Sequence, residues 1–205
     1  MATLDCVKYL LGAGANKELK DNSSFTALMH ASSRGHTGVV NILCERGADT
    51  EAKDSRGLTA LMKASFNGHT YTMESLVLDG ADKEAKDEAA STALLHASGR
   101  GHADSVGFLL LIGDNRETKN NHGFNPLMLA SLFGHTAIVE LLLKQGARKE
   151  ARDHHGKTAL MKAAKYGHTA VVKLLLDAGV RKGAFAAERL YSKRGLINYC
   201  GWAIE

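Results

Sequence analysis

The sequence predicts an all-α solenoid of stacked helix–turn–helix units joined by extended, hairpin-like loops. Three observations carry this reading. A twelve-residue phrase recurs every 33 residues: TALMHASSRGHT from Thr26, TALMKASFNGHT from Thr59, TALLHASGRGHA from Thr92, NPLMLASLFGHT from Asn125 and TALMKAAKYGHT from Thr158. A second glycine keeps its own register at Gly14, Gly47, Gly80, Gly113, Gly146 and Gly179. Between the two lies an apolar stripe of helical period, such as Val171, Val172, Leu175 and Leu176. Self-similarity at such a period is the signature of a repeat array, in which each unit buries its apolar faces against its neighbours.

The unit is built from local rules. Asp153 to Gly156 is turn chemistry, an Asp that can bond its own backbone followed by a Gly that accepts a left-handed conformation. Thr158 then caps a first helix of about two turns, with Leu160, Met161, Ala163 and Ala164 on its apolar face. In the fourth repeat the cap is Asn125, followed by Pro126 at the first helical position, where the missing N–H costs nothing. Gly167 ends the first helix, His168-Thr169 opens the second, and Gly179 closes it.

This unit resembles the ankyrin repeat. The resembling residues are the Asp-x-x-Gly turn, the Thr-x-Leu start, the Gly-His between helices, the Val-Val-x-Leu-Leu-Leu helix and the Gly-Ala-Asp exit. The resemblance divides the chain into a partial repeat at 1–20 (a second helix and its exit loop), full repeats at 21–53, 54–86, 87–119, 120–152 and 153–183, and a non-repeat segment at 184–205. It also implies a protein-interaction module with a concave binding groove. Departures from the family pattern are local. The usual Thr-Pro-Leu-His loses its histidine to Met29, Met62, Leu95, Met128 and Met161, and its proline everywhere but Pro126. Adaptable apolar packing is expected in place of the polar link that this histidine makes in the family. Ser24 and Ala90 stand where the turn glycine belongs, at a cost of about 1 kcal/mol or more each if the backbone stays left-handed. Asp114 occupies a register of buried alanine and Gly107 weakens a helix, so the third repeat reads as the least regular.

The pattern begins partway through a unit. Either the chain is a fragment of a longer array or the half-repeat is a crude cap, and a fragment is the expectation. Residues 184–205 carry Phe185, Tyr191, Tyr199 and Trp202 among basic groups. A cap over the fifth repeat is favoured; the alternative is a basic-aromatic docking segment that would make the protein a regulatory adaptor or inhibitor with a second partner.

Charge and composition narrow the function. The net charge is +4. Residues 181–205 hold five basic and two acidic side chains, which leaves the array near neutral and argues against a phosphate-binding surface. No nucleic-acid partner is expected, and no apolar run approaches the roughly 18 to 20 residues of a membrane span. Three scattered cysteines form neither a disulfide framework nor a zinc site, so a reducing compartment is expected, the cytoplasm first and the nucleus second. A monomer without cofactor or metal is expected.

No catalytic motif survives inspection. Gly12-Ala13-Gly14 follows a helix pattern, not a strand, and is no dinucleotide site. The Gly-His histidines at His36, His69, His102, His135 and His168 would lie about 10 Å apart in a stack, the spacing of packed helices. They cannot share a zinc ion that needs ligands at about 2.1 Å. A structural role is expected, with ring nitrogens bonding loop backbone. The rows Glu18, Glu51, Glu84, Glu117, Glu150 and Lys20, Lys53, Lys86, Lys119, Arg152 are expected to neutralise each other along the exit loops.

Residues that vary between units mark the candidate interface, because fixed registers build the stack. They lie before each Gly-His and at the turn tips: Arg34, Phe66, Asn67, Arg100, Leu132, Phe133, Lys165 and Tyr166 in the first set, Arg56, Leu58, His122 and Phe124 in the second. The resemblance places both sets in the concave groove. Phe66, Phe124, Phe133 and Tyr166 are expected to face outward as anchors, since aromatic and arginine side chains dominate interface energetics.

Overall fold

The computed structural model describes residues 2–180, so the cap or docking segment expected at 184–205 lies outside the described residues. All of its regular structure is helical. Helix α1 (Ala2–Gly12) is followed by five pairs: α2 (Ala27–Ser33) with α3 (Thr37–Glu45), α4 (Ala60–Asn67) with α5 (Thr70–Leu78), α6 (Ala93–Arg100) with α7 (Ala103–Leu111), α8 (Pro126–Phe133) with α9 (Thr136–Lys144), and α10 (Ala159–Lys165) with α11 (Thr169–Asp177). The first helices α2, α4, α6, α8 and α10 stack in one layer, and α1, α3, α5, α7, α9 and α11 in a second.

The core runs along the seam between layers. Leu28, Leu61, Leu94, Leu127 and Leu160 supply it from the first helices, and Leu43, Leu76, Leu109, Leu142 and Leu175 from the second. Met29, Met62, Leu95, Met128 and Met161 are buried as well, so the family's polar link is replaced by packing, as expected. The caps form as their chemistry requires. Thr26, Thr59 and Thr158 accept the N–H three residues on at 3.3 to 3.4 Å, and Asn125 accepts that of Met128 at 2.9 Å. Thr92 does not: its hydroxyl is buried without a hydrogen-bond partner.

Ser24 and Ala90 adopt the left-handed backbone despite lacking glycine, at φ 61° and 57°. Restoring the turn residue should therefore relieve strain. Ala90→Gly is expected to raise stability by about 0.5–1 kcal/mol, less than the full left-handed cost because glycine also loses more chain entropy on folding. Urea unfolding measures it, and a loss of stability would show that the turn holds Ala90 without strain.

The two charged rows behave differently from the expectation. Glu18, Glu51, Glu84 and Glu117 accept backbone N–H groups of Asp49, Asp82, Asn115 and Arg148 at 2.7 to 3.1 Å. Lys20, Lys53 and Lys119 donate to the backbone carbonyls of Lys53, Lys86 and Arg152 at 2.9 to 3.1 Å. Each of these side chains reaches the next repeat's main chain instead of its opposite-charge neighbour. Loop backbone lacks helical partners, so a charged side chain there satisfies an otherwise unmade hydrogen bond.

Candidate protein interface

The turn tips owe their shape to one carboxylate or amide each. Asp54 Oδ1 accepts the N–H groups of Arg56 and Leu58 at 2.9 and 2.8 Å, which closes the tip around left-handed Gly57. Its Oδ2 takes the Lys63 ammonium at 2.7 Å, with both side chains almost fully buried. The same ammonium lies 3.4 Å from the ring centre of Phe25 in the preceding repeat. Asp153, Lys162 and Phe124 repeat the arrangement at 2.6 Å and 3.7 Å. Asp21–His30 and Asp87–His96 are the histidine versions, each at 2.9 Å. Burial pushes the Asp54 carboxyl up, but Lys63 and the two backbone donors outweigh it and hold the group below the usual carboxylate range. The fourth repeat has no cation at this register. Leu129 stands there, and the turn residue is neutral Asn120, which makes the same two backbone bonds at 3.0 Å.

Successive tips are tied together by single main-chain bonds. Glu88 N–H donates to Arg56 C=O at 3.1 Å and Asn121 N–H to Ala89 C=O at 2.9 Å. The other ends of the first helices are fixed by the Gly-His pairs. His69, His102, His135 and His168 each donate from Nε2 to a carbonyl in the repeat before, those of Ser33, Phe66, Gly99 and Leu132, at 2.9 to 3.2 Å. A carbonyl only accepts, so the bond fixes which ring nitrogen carries the proton. The ring lies flat against the previous repeat's glycine: a Cβ at Gly35 would sit 2.6 Å from His69 Nδ1, and one at Gly68 2.5 Å from His102 Nδ1. Glycine in one repeat makes room for histidine in the next. Both are parts of the stack, and among the described residues no His, Cys, Asp and Glu cluster is arranged to hold a metal ion.

The tips and the first-helix ends are held in this way from repeat to repeat. Phe133 and Tyr166 share a register in adjacent repeats and are 54% and 55% exposed. Arg34, Arg56, Asn67, Arg100, His122 and Lys165 are also exposed, each in its own repeat, and Leu132 is half-buried. Phe66 and Phe124 are also half-buried rather than outward, because a cation stacks on each: Arg100 lies 3.8 Å from the Phe66 ring centre and Lys162 covers Phe124. Leu58 does not belong to the face. It is 7% exposed, turned inward by the bond from its own N–H to Asp54, and is core.

The helix pairing, the tips and the Gly-His seam together define the repeat, and a family model described as ankyrin repeats (3 copies) matches residues 2–87, 71–153 and 94–186. The chain belongs to the ankyrin-repeat family. No curated protein matches the chain. Ankyrin repeats are in general protein-interaction modules, and no helix of the described residues is long and apolar enough to cross a membrane. Within this ankyrin array the Asp–Lys and Asp–His pins were missed in the sequence. Their signal was present as a nine-residue spacing that switches in step, from Asp with Lys or His to Asn120 with Leu129. Also unexpected are Leu78 and Leu111, exposed in one register on the outer layer with Tyr71 nearby in sequence.

Proposed function

We propose that the array is a non-enzymatic scaffold that binds a protein partner along the face of tips and first-helix ends, the concave groove of its family. The observation that carries this reading is the Phe133–Tyr166 pair. Two large aromatic groups in equivalent positions of adjacent repeats form an exposed anchor pair, and each would contribute roughly 1.5–3 kcal/mol if fully covered. More than half of each side chain is exposed, so truncation is expected to cost the stack little.

Phe133→Ala, alone or with Tyr166→Ala, is accordingly expected to leave the melting temperature within a few degrees and to weaken partner binding about tenfold or more. Affinity capture with the whole chain as bait supplies the partner, and calorimetry on wild type and variants supplies the comparison. Unfolding of the Phe133→Ala chain, with the partner still bound normally by the folded fraction, would assign Phe133 to the core and place the interface elsewhere. A cytoplasmic monomer fits this reading.

A further inference from the structure

The ankyrin array is near neutral as a whole, but its two layers differ in sign. None of the first helices α2, α4, α6, α8 and α10 contains an Asp or Glu; they carry His30, Lys63, His96, Arg100, Lys162 and Lys165. The second helices of the same five repeats each hold an acid, Glu45, Glu74, Asp104, Glu140 and Asp177, against two cations, Lys144 and Lys173. At the tips, Asp54 and Asp153 are bound to Lys63 and Lys162 and Asp21 and Asp87 to His30 and His96, with Asp21 and Glu88 as exposed acids against exposed Arg56. With Lys63 and Lys162 set against Asp54 and Asp153, the exposed charges on the side that carries Phe133 and Tyr166 are Arg34, Arg56, Arg100 and Lys165 against Asp21 and Glu88, an excess of cations.

One place on it is built to take both charge and apolar surface. Arg100 is exposed and stacked on the Phe66 ring, which holds its guanidinium plane and leaves its edge free to meet a carboxylate in two parallel bonds. The preceding residue is Gly99, half-exposed on a helix with no side chain. A Cβ built there would have Leu129 Cδ1 and the Phe133 ring as its nearest neighbours, both at 3.9 Å. The register filled by Phe66 in the second repeat and Leu132 in the fourth therefore carries no side chain in the third, a notch bordered at van der Waals distance by Leu129 and Phe133 of the following repeat.

Resting on the groove reading above, we infer that the partner is an acidic peptide segment, with a large apolar side chain seated over Gly99 and an adjacent Asp or Glu on Arg100. Sign complementarity selects the acid, and the notch separates a peptide from a polyanion, which has no apolar side chain to place there.

The test selects twelve-residue peptides from a random phage-displayed library on the immobilised full chain, then measures fluorescein-labelled winners by anisotropy. The expected winners are net negative, with one large apolar residue next to an Asp or Glu. Their affinity should fall at least tenfold with Arg100→Glu and at least fivefold with Gly99→Leu, which puts a side chain into the notch at a position where a Cβ meets only ordinary contacts. It should also fall at least fivefold between 50 and 300 mM NaCl, since exposed charges are screened over about 10 Å at 0.1 M salt. Melting temperatures within a few degrees of wild type keep the comparison clean. Neutral or basic winners that still need Phe133 would overturn the acidic assignment while the groove reading stands. Winners indifferent to Phe133→Ala and Gly99→Leu, or no winners, would overturn both. Displacement by heparin or oligo-dT that binds Gly99→Leu as tightly as wild type would show a surface for polyanions in general, and would overturn the peptide.

Discussion

Lys63→Leu is expected to destabilise the protein by about 3–5 kcal/mol, and adding Asp54→Asn is expected to restore it to within about 1 kcal/mol of wild type. The single change strips the cation from a carboxylate whose side chain is 0% exposed and leaves a buried charge with only its two backbone donors. Breaking one side of a buried ion pair is costly for this reason, although replacing the whole pair is often close to neutral. The fourth repeat already demonstrates the neutral alternative, with Asn120 holding the turn and Leu129 in the lysine register. Phe25, now under the Lys63 ammonium, would pack equally well on leucine. Urea unfolding of the two single variants and the double gives the coupling directly. A cost below 1 kcal/mol for Lys63→Leu, or a double variant as unstable as the single, would show that the pin is not what shapes this tip.

How much of this could be read in advance depends on whether a side chain is governed by its own segment or by the next repeat. Helices, caps and left-handed glycines are local consequences of sequence, and Thr59, Asn125 and Gly68 behave as their types require. The structural role of the Gly-His histidines was also legible, since spacing alone excluded a shared ion. The charged rows were not. Opposite signs in neighbouring registers look like a ladder of ion pairs, but a 33-residue stack sets Glu18 opposite the N–H of Asp49 and Lys20 opposite the C=O of Lys53. Leu58 failed for a related reason. It sits at a tip in sequence, yet in the structure its register is the inward return of the turn, where Phe25 and Phe124 also tuck beneath lysines of the following repeats. Of the four aromatic groups expected to face outward, Phe133 and Tyr166 are more than half exposed, whereas Arg100 of the following repeat covers Phe66 and Lys162 covers Phe124.

Asp114→Ala is expected to stabilise the protein at both pH values and by at least about 1–3 kcal/mol more at pH 8 than at pH 5, because at pH 8 the folded chain loses the stability its retained proton supplies at pH 5. Equivalent positions in three other repeats are Ala48, Ala81 and Ala147, all buried at the end of a second helix. Asp114 is 5% exposed there; Oδ1 takes the Asn115 N–H at 2.7 Å and Oδ2 has no hydrogen bond. Burial first, and then the neighbouring Glu84 carboxylate, push its pKa from the ordinary 3.8 to about 8. The sign follows from proton counting. Between about pH 4 and 8 the folded chain keeps a proton that the unfolded chain releases, so this residue's contribution is fully present below pH 4 and is lost as pH rises through 8. The pins at Asp54, Asp87 and Asp153 act in the opposite sense, because their depressed values remove stability only as pH falls below the ordinary aspartate range. The difference between wild type and Asp114→Ala, taken at pH 5 and again at pH 8, therefore isolates Asp114, with the carboxylates of Asp54, Asp87 and Asp153 ionised at both. Equal gains at the two pH values would show that its proton plays no part. A loss of stability at pH 8 would show that the third repeat uses the Asp114–Glu84 pair instead of tolerating it.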